Sequence, residues 1–339
     1  MRIREWSPAA ATAAELGAWL RSYNAGQAVD LPLDPPWQIE RLKDYLTVTM
    51  PGETRLTWLA ESDDQPGEIL GYGRLLVMEG LGVVELNVAP AGRRRHVGEA
   101  LVSVIAERAL AEGLTSLGVE AIGGTPAADF YTALGFRHAY TETRSILDLS
   151  TVDWDHVAEM AEGVSHGYRI EYYPGDLPDE LLPAYAEAKQ VRRLDPNGDL
   201  DLRPSSYDPD RLRASLRVLQ GRGLYPYIVV AVHERTEKVA ALTELVVPAL
   251  HPTRADQYDT TVVPEHNGYG LPRAIKARML IELRTAEPQL REVQTWHAAD
   301  RVELQAVNME LGFRADHEWR EYEVDARELA DRLHAHTPA

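Results

Sequence analysis

The chain has no cysteine among its 339 residues. Disulfides, thiolate metal sites and a cysteine nucleophile are therefore excluded by chemistry. Positive charge is scarce as well. Lysine and arginine number 35 against 53 aspartates and glutamates, a formal charge of −18 at pH 7, which repels phosphate backbones and anionic lipid surfaces alike. Nucleic acid and membranes are poor partners for such a field; it would draw in small amines, but the solubility of an acidic protein is the reading preferred for it. No segment offers the roughly 20 apolar residues that a membrane span requires. The opening residues MRIREWSPAA carry charge and no apolar stretch, so a cytoplasmic location is expected. The 11 histidines show no zinc-ligand spacing, and no metal is expected.

What is present is an ordinary folded composition, 45% hydrophobic, in a chain too long for one core. Hydrophobic periodicity gives the first half a strand at 2–6, helices at 9–25 and 37–46, and strands at 55–62, 68–78 and 83–88. A helix from 97, a strand at 117–121, a short helix at 127–134 and strands through 149 follow. The second half repeats the order: strand 168–173, helices 181–193 and 209–219, strands 225–233, 238–247 and 258–263, and a helix from 271. Strand 293–297, a helix ending at Leu311 and a last strand pair complete it.

Spelling repeats along with order. Leu134-Gly135-Phe136 recurs as Leu311-Gly312-Phe313, and Val88-Ala89-Pro90 as Val262-Val263-Pro264. Two tandem α+β domains are thus expected, 1–150 and 168–339, joined by an acidic linker at 151–167. Each is a mixed, mostly antiparallel sheet with helices layered on it (α/β/α) and one crossover helix. A small helical tail after Val324 should fray at its polar end. Gly71-Tyr72-Gly73 lies inside a strand, so it marks a bend rather than a dinucleotide loop.

The residues Ala91-Gly92-Arg93-Arg94-Arg95-His96-Val97-Gly98 turn a strand into a helix. A helix start offers unpaired N–H groups and the positive end of the dipole, which together hold a diphosphate. A solvated basic run at a helix start is the plain alternative. The loop reads Arg93-Arg94-Arg95-His96-Val97-Gly98 after Val88-Ala89-Pro90, and Tyr131-Thr132-Ala133-Leu134-Gly135-Phe136 follows near the domain's end. In these elements each half resembles the GNAT acetyltransferase superfamily, and the two-domain layout is distantly similar to that of mycothiol synthase.

The resemblance implies an acetyl-coenzyme A-dependent N-acetyltransferase acting on a small or peptide-like primary amine, with acetyl-CoA as co-substrate. Its cofactor contacts would be Leu86, Asn87, Val88, Arg93, Arg94, Arg95, His96, Val97, Gly98 and Glu99. In the second copy they would be Val262, Asn267, Gly268, Tyr269, Gly270 and Leu271. His96 stands where the family has glycine, a change expected to require a negative φ. Pro272 removes one N–H from the second cradle.

With no cysteine, direct attack of the amine on the thioester is the economical route. Strand alternation puts Glu85 off the face shared by Val84, Leu86 and Val88, and Asp259 holds the same offset in the second copy. Both are candidate bases, with Glu244 and Asp256 as fallbacks. Tyr131 occupies the position from which the family protonates the departing sulfur. Asn308 replaces it in the second copy and cannot do so effectively. These departures keep open an acyl-CoA-binding sensor or scaffold without turnover, and chemistry in the C-terminal rather than the N-terminal copy. A homodimer is compatible with the sequence.

Overall fold

The computed structural model describes residues 1–50, 52–78, 81–191 and 208–336. The chain forms two compact units, and their borders are not those expected. Among the described residues the first unit is 1–140 together with 319–336, and the second comprises 141–191 and 208–318.

In the first unit the strands β1 (Arg2–Trp6), β2 (Glu53–Glu61), β3 (Ile69–Met78) and β4 (Leu81–Val88) run as an antiparallel meander. Next comes β5 (Ser116–Ile122), parallel to β4 as the right-handed crossover through a helix demands. The sixth strand of this unit is Trp319–Asp325 of β12 (Arg314–Asp325), antiparallel to β5. On one face lie α3 (Val97–Ala111), α4 (Pro126–Ala133) and α10 (Ala326–His336), whose apolar sides share a core with β2 to β5. On the other lie α1 (Ala13–Asp30) and α2 (Ile39–Thr47) around Trp19, Leu42, Leu59 and Tyr72. Thr12 and Glu15 close a reciprocal capping box that fixes the start of α1.

The second unit repeats this layout with β7 (Tyr168–Pro174), β8 (Leu224–His233), β9 (Lys238–Pro248), β10 (Arg254–Val262) and β11 (Glu292–Ala298). Its sixth strand is Glu142–Asp148, the latter part of β6 (Arg137–Asp148), antiparallel to β11. Here α5 (Trp154–Glu162), α8 (Leu271–Ala286) and α9 (Val302–Leu311) share one core. The helices α6 (Leu182–Gln190) and α7 (Pro209–Gly221) cover the other face.

The stretch 151–167, expected as a linker, contains α5, whose Val157 and Met160 are buried. The expected strand pair at the end of each copy is one 12-residue strand, β6 or β12, whose outer half completes a sheet. The expected helical tail is α10, with Ala326, Leu329, Ala330 and Leu333 buried in the first unit's core; the end of its polar tip, 337–339, lies outside the described residues. A strand at 258–263 instead begins at Arg254 and carries a bulge between Gln257 and Asp259, a one-residue insertion that alternation alone does not reveal. The Gly71-Tyr72-Gly73 glycines are explained by close approach, since a Cβ at Gly71 would stand 2.6 Å from the Asn87 carbonyl oxygen.

Candidate active site

In the first unit β4 and β5 pair only from Gly82↔Leu117 to Val84↔Val119, although β4 runs on to Val88 and β5 to Ile122. Beyond that point the parallel strands part, and the α3 and α4 ends face the opening. A cavity of about 430 Å³ lies there, lined by the end of β4, the loop residues 92–94 and 96, the first turn of α3, and residues 125–127, 130 and 131 around α4. Of the ten residues expected to contact coenzyme A in this copy, nine line the cavity and Arg95 does not.

The loop conformation corrects one expectation. His96 does not keep a negative φ: it sits at +58°, in the left-handed region, as does Arg94 at +61°. The second copy has Gly268 and Gly270 at these two places, at +82° and +73°. Both loops therefore make the same double left-handed turn, once with glycines and once with side chains that resist it. The His96 ring lies 2.8 Å from the Glu99 carboxylate through Nδ1. Replacing His96 by glycine is expected to stabilise the protein by about 0.5–1 kcal/mol, read as a higher urea midpoint at unchanged slope.

The three arginines part company. The Arg93 guanidinium is spent on structure: Nη1 and Nη2 donate to both oxygens of Asp30 at 2.9 and 2.5 Å, and Nε donates to the Val88 carbonyl at 3.1 Å. Arg93 ties the end of α1 to the end of β4 and holds the loop's shape. Arg94 is exposed and lines the cavity. His96, the N-cap of α3, provides no side-chain cap. The amides of the first turn, Val97, Gly98 and Glu99, thus remain for a ligand in the cavity their residues line.

Glu85 lies on the α1–α2 face, as alternation required. One carboxylate oxygen accepts from the Tyr45 hydroxyl at 2.5 Å and the other from Arg74 Nη1 at 2.8 Å. Arg74 is 1% exposed, while the Glu85 side chain keeps about 29% of its surface in solvent. Burial and the neighbouring Glu85 push the Tyr45 phenol well above its ordinary range, so it acts only as a donor. Tyr131 is buried on α4, lines the cavity, and stands in ring contact with Phe130 and Phe136. Burial alone raises its phenol far above 10, which keeps it protonated at any physiological pH. Sequence reasoning missed Tyr45, Arg74, Asp30 and Phe130. Arg74 had a signal: it is the one charged residue in the apolar strand ILGYGRLLVM, and a buried charge needs a partner.

In the second unit Asp259 is buried. It accepts from the Thr261 hydroxyl at 3.0 Å and faces Lys189 Nζ at 3.5 Å. Lys189 also donates to Glu244 at 2.6 Å, and the Tyr185 hydroxyl donates to the same Glu244. Asp256, the other fallback base, accepts from Gln294 at 2.6 Å. The second loop brings Asn267, Gly268, Tyr269 and Gly270 to the start of α8, with Leu271 buried behind them and Val262 half-buried at the end of β10. The segment after α5 lies against it, the Ser165 hydroxyl donating to the Tyr269 carbonyl at 3.3 Å. Among the described residues no group of three or more His, Asp or Glu could hold a metal ion, and no helix is long and apolar enough to cross a membrane.

Residues 53–138 match the acetyltransferase (GNAT) domain family. No curated protein matches the chain. Among solved structures, the fold resembles a tandem GNAT protein from the clavulanic acid biosynthesis pathway, without AcCoA. The TM-score is 0.79 at 25% identity, with 96% of this chain and 98% of that one covered. It also resembles a GCN5-related N-acetyltransferase from Sphaerobacter thermophilus, at TM-score 0.70, 15% identity and coverage of 96% and 95%. A parted parallel strand pair with an uncapped helix start at its mouth, in a matching domain, defines an N-acetyltransferase. With two copies of the fold in one chain, it resembles the tandem GNAT protein over nearly its whole length.

Proposed function

We propose that the first unit binds acetyl-CoA in the cavity between β4, α3 and α4 and transfers its acetyl group to a small primary amine. The observation that carries this reading is the cavity's make-up: helix-start amides and Arg94 near one set of walls, the Tyr131 ring in another, and the freed end of β4 between them. The diphosphate would be held by the amides of Val97, Gly98 and Glu99, with Arg94 supplying charge. Bound acetyl-CoA supplies the activated acyl group.

Glu85 takes the acceptor's ammonium proton. A carboxylate has about four lone-pair sites, and its two fixed donors, Tyr45 and Arg74, leave the exposed part free to accept. The amine then attacks the thioester carbon. Tyr131 gives its phenolic proton to the departing sulfur, its burial keeping the phenol protonated until then. Asp259 is proposed for no such role in this unit's reaction.

Calorimetric titration of acetyl-CoA into the wild type and into Arg94→Glu tests the binding half: reversal of the charge should weaken binding at least tenfold. Tyr131→Phe should then lower amine acetylation by about 10²-fold with acetyl-CoA affinity unchanged. Equal rates for Tyr131→Phe and wild type would remove Tyr131 from the chemistry.

A further inference from the structure

Lys276 is 2% exposed, at the sixth residue of α8, and has no carboxylate beside it among the hydrogen bonds that hold it. Its Nζ donates to the Gln257 side-chain carbonyl and stands 5.3 Å from the centre of the Phe313 ring. Gln257 is the last β10 residue paired with β11, opposite Thr295. Lys276 therefore reaches the point where the second unit's parallel strands part. His297 on β11 lies close enough that the two groups repel: burial first, then Lys276, holds the imidazole below its ordinary value.

The first copy shows what this point is for. There the strands part after Val84↔Val119, the sixth residue of α3 is Val102, and the Tyr131 ring lies 5.2 Å from Phe136. In the second copy three residues differ together. Val102 is matched by Lys276, Val84 by Gln257, and Tyr131 by Asn308, each counted from the shared loop, bulge and Leu-Gly-Phe positions. A large phenol has been exchanged for a short amide, and a small apolar side chain for a long basic one. The Lys276 amine packs on Phe313, as the Tyr131 ring packs on the matching Phe136. On α9, Asn308 Oδ1 is buried with no hydrogen-bond partner among the described residues.

We propose that the second unit is a second acyl-CoA-dependent transfer site in which Lys276 replaces Tyr131 as the acid that protonates the leaving sulfur. The inference rests on the acyl-transfer reading of the fold. As the acceptor nitrogen bonds to the acyl carbon, the C–S bond breaks and the thiolate takes a proton from Nζ. The acceptor nitrogen releases one proton, and Lys276 regains one from solvent, so the exchange balances. Burial brings the Lys276 ammonium down from 10.5 to about 7, which suits an acid working near neutrality.

The test needs the first site silenced, by Arg94→Glu or, independently, by Gly98→Trp. A side chain at Gly98 meets Phe130 at 3.1 Å and fills that cavity. Each variant is given acetyl-CoA and hydroxylamine as a small acceptor, and free CoA is followed with a thiol reagent, to which a protein without cysteine adds no background. The expected result is one remaining acetyl-CoA site and a CoA-release rate that falls roughly tenfold or more from pH 6.5 to 8.5 as Lys276 loses its proton. Adding Lys276→Met should lower the rate at pH 6.5 by about 10²-fold and abolish that pH profile while acetyl-CoA still binds. An unchanged rate and profile in Lys276→Met would overturn the proposal. So would a silenced protein that binds no acetyl-CoA while the wild type does. Absence of binding by the wild type would instead bring down the reading of the first site too.

Discussion

Residues 1–150 produced alone are expected to fail to fold, and to recover when supplied with residues 151–339 as a separate chain. A first domain ending at 150 would leave β5 as a bare sheet edge, because its outer partner is Trp319–Asp325, seven residues in continuous antiparallel register. It would also uncover the α3 surface on which α10 packs, where Ala326, Leu329, Ala330 and Leu333 are between 0% and 3% exposed. The loss is several buried apolar side chains, each worth about 1.5–3 kcal/mol when large, against a typical total stability of only 5–15 kcal/mol. An exposed apolar edge strand also invites aggregation. Soluble yield and a cooperative thermal transition measure the outcome. A monomeric 1–150 fragment with a sharp transition would show that the C-terminal strand and helix are dispensable. Within the intact chain, Leu329→Ala should cost about 2–5 kcal/mol and weaken acetyl-CoA binding through loss of the first unit.

The same feature shows where sequence patterns stop being informative. Element order and type were legible because each rests on local periodicity: β1, β8 and the α3 and α8 stripes appear within a few residues of their expected places. The repeat was legible because Leu-Gly-Phe and Val-x-Pro recur in register. The partner of an edge strand is not a local property. Both β6 and β12 pass from exposed first residues to a run of buried ones near the far end, and nothing in their spelling says which sheet their outer halves will join. The bulge at Tyr258 was equally hidden, since one inserted residue merely shifts the alternation that was being counted. At the site, Glu85 and the loop 92–99 could be named from spacing. The Arg94 and His96 backbone could not, because a left-handed residue without glycine depends on its surroundings. Tyr45 comes from a helix 40 residues away in sequence, and Arg93, expected to bind phosphate, is committed to Asp30.

Lys276→Met is expected to change the protein's stability with a sign that depends on pH. An unfolded lysine holds its proton up to its ordinary 10.5, whereas in the folded second unit burial lets the amine lose it above about 7. Between those values the unfolded chain binds one proton more than the folded one, so the wild type gains stability as pH rises and loses it as pH falls toward 7. At about 1.4 kcal/mol for each pH unit, the penalty at neutral pH is on the order of 4 kcal/mol. Methionine carries no such penalty, but it leaves the Gln257 carbonyl without a donor, a cost of about 1–3 kcal/mol. The variant should thus be more stable than wild type by roughly 1–3 kcal/mol at pH 7 and less stable near pH 10. Urea unfolding of the two proteins at pH 7, 8.5 and 10 checks the crossing, and parallel stability curves would mean that Lys276 keeps its proton in the folded state. A crossing would mean that the chain tolerates a costly basic group at the apex of its second strand opening, in a core where Val102 serves the first copy without one. Such a cost is retained where the group acts, so the pH at which the stability difference begins to change should match the midpoint of the CoA-release profile.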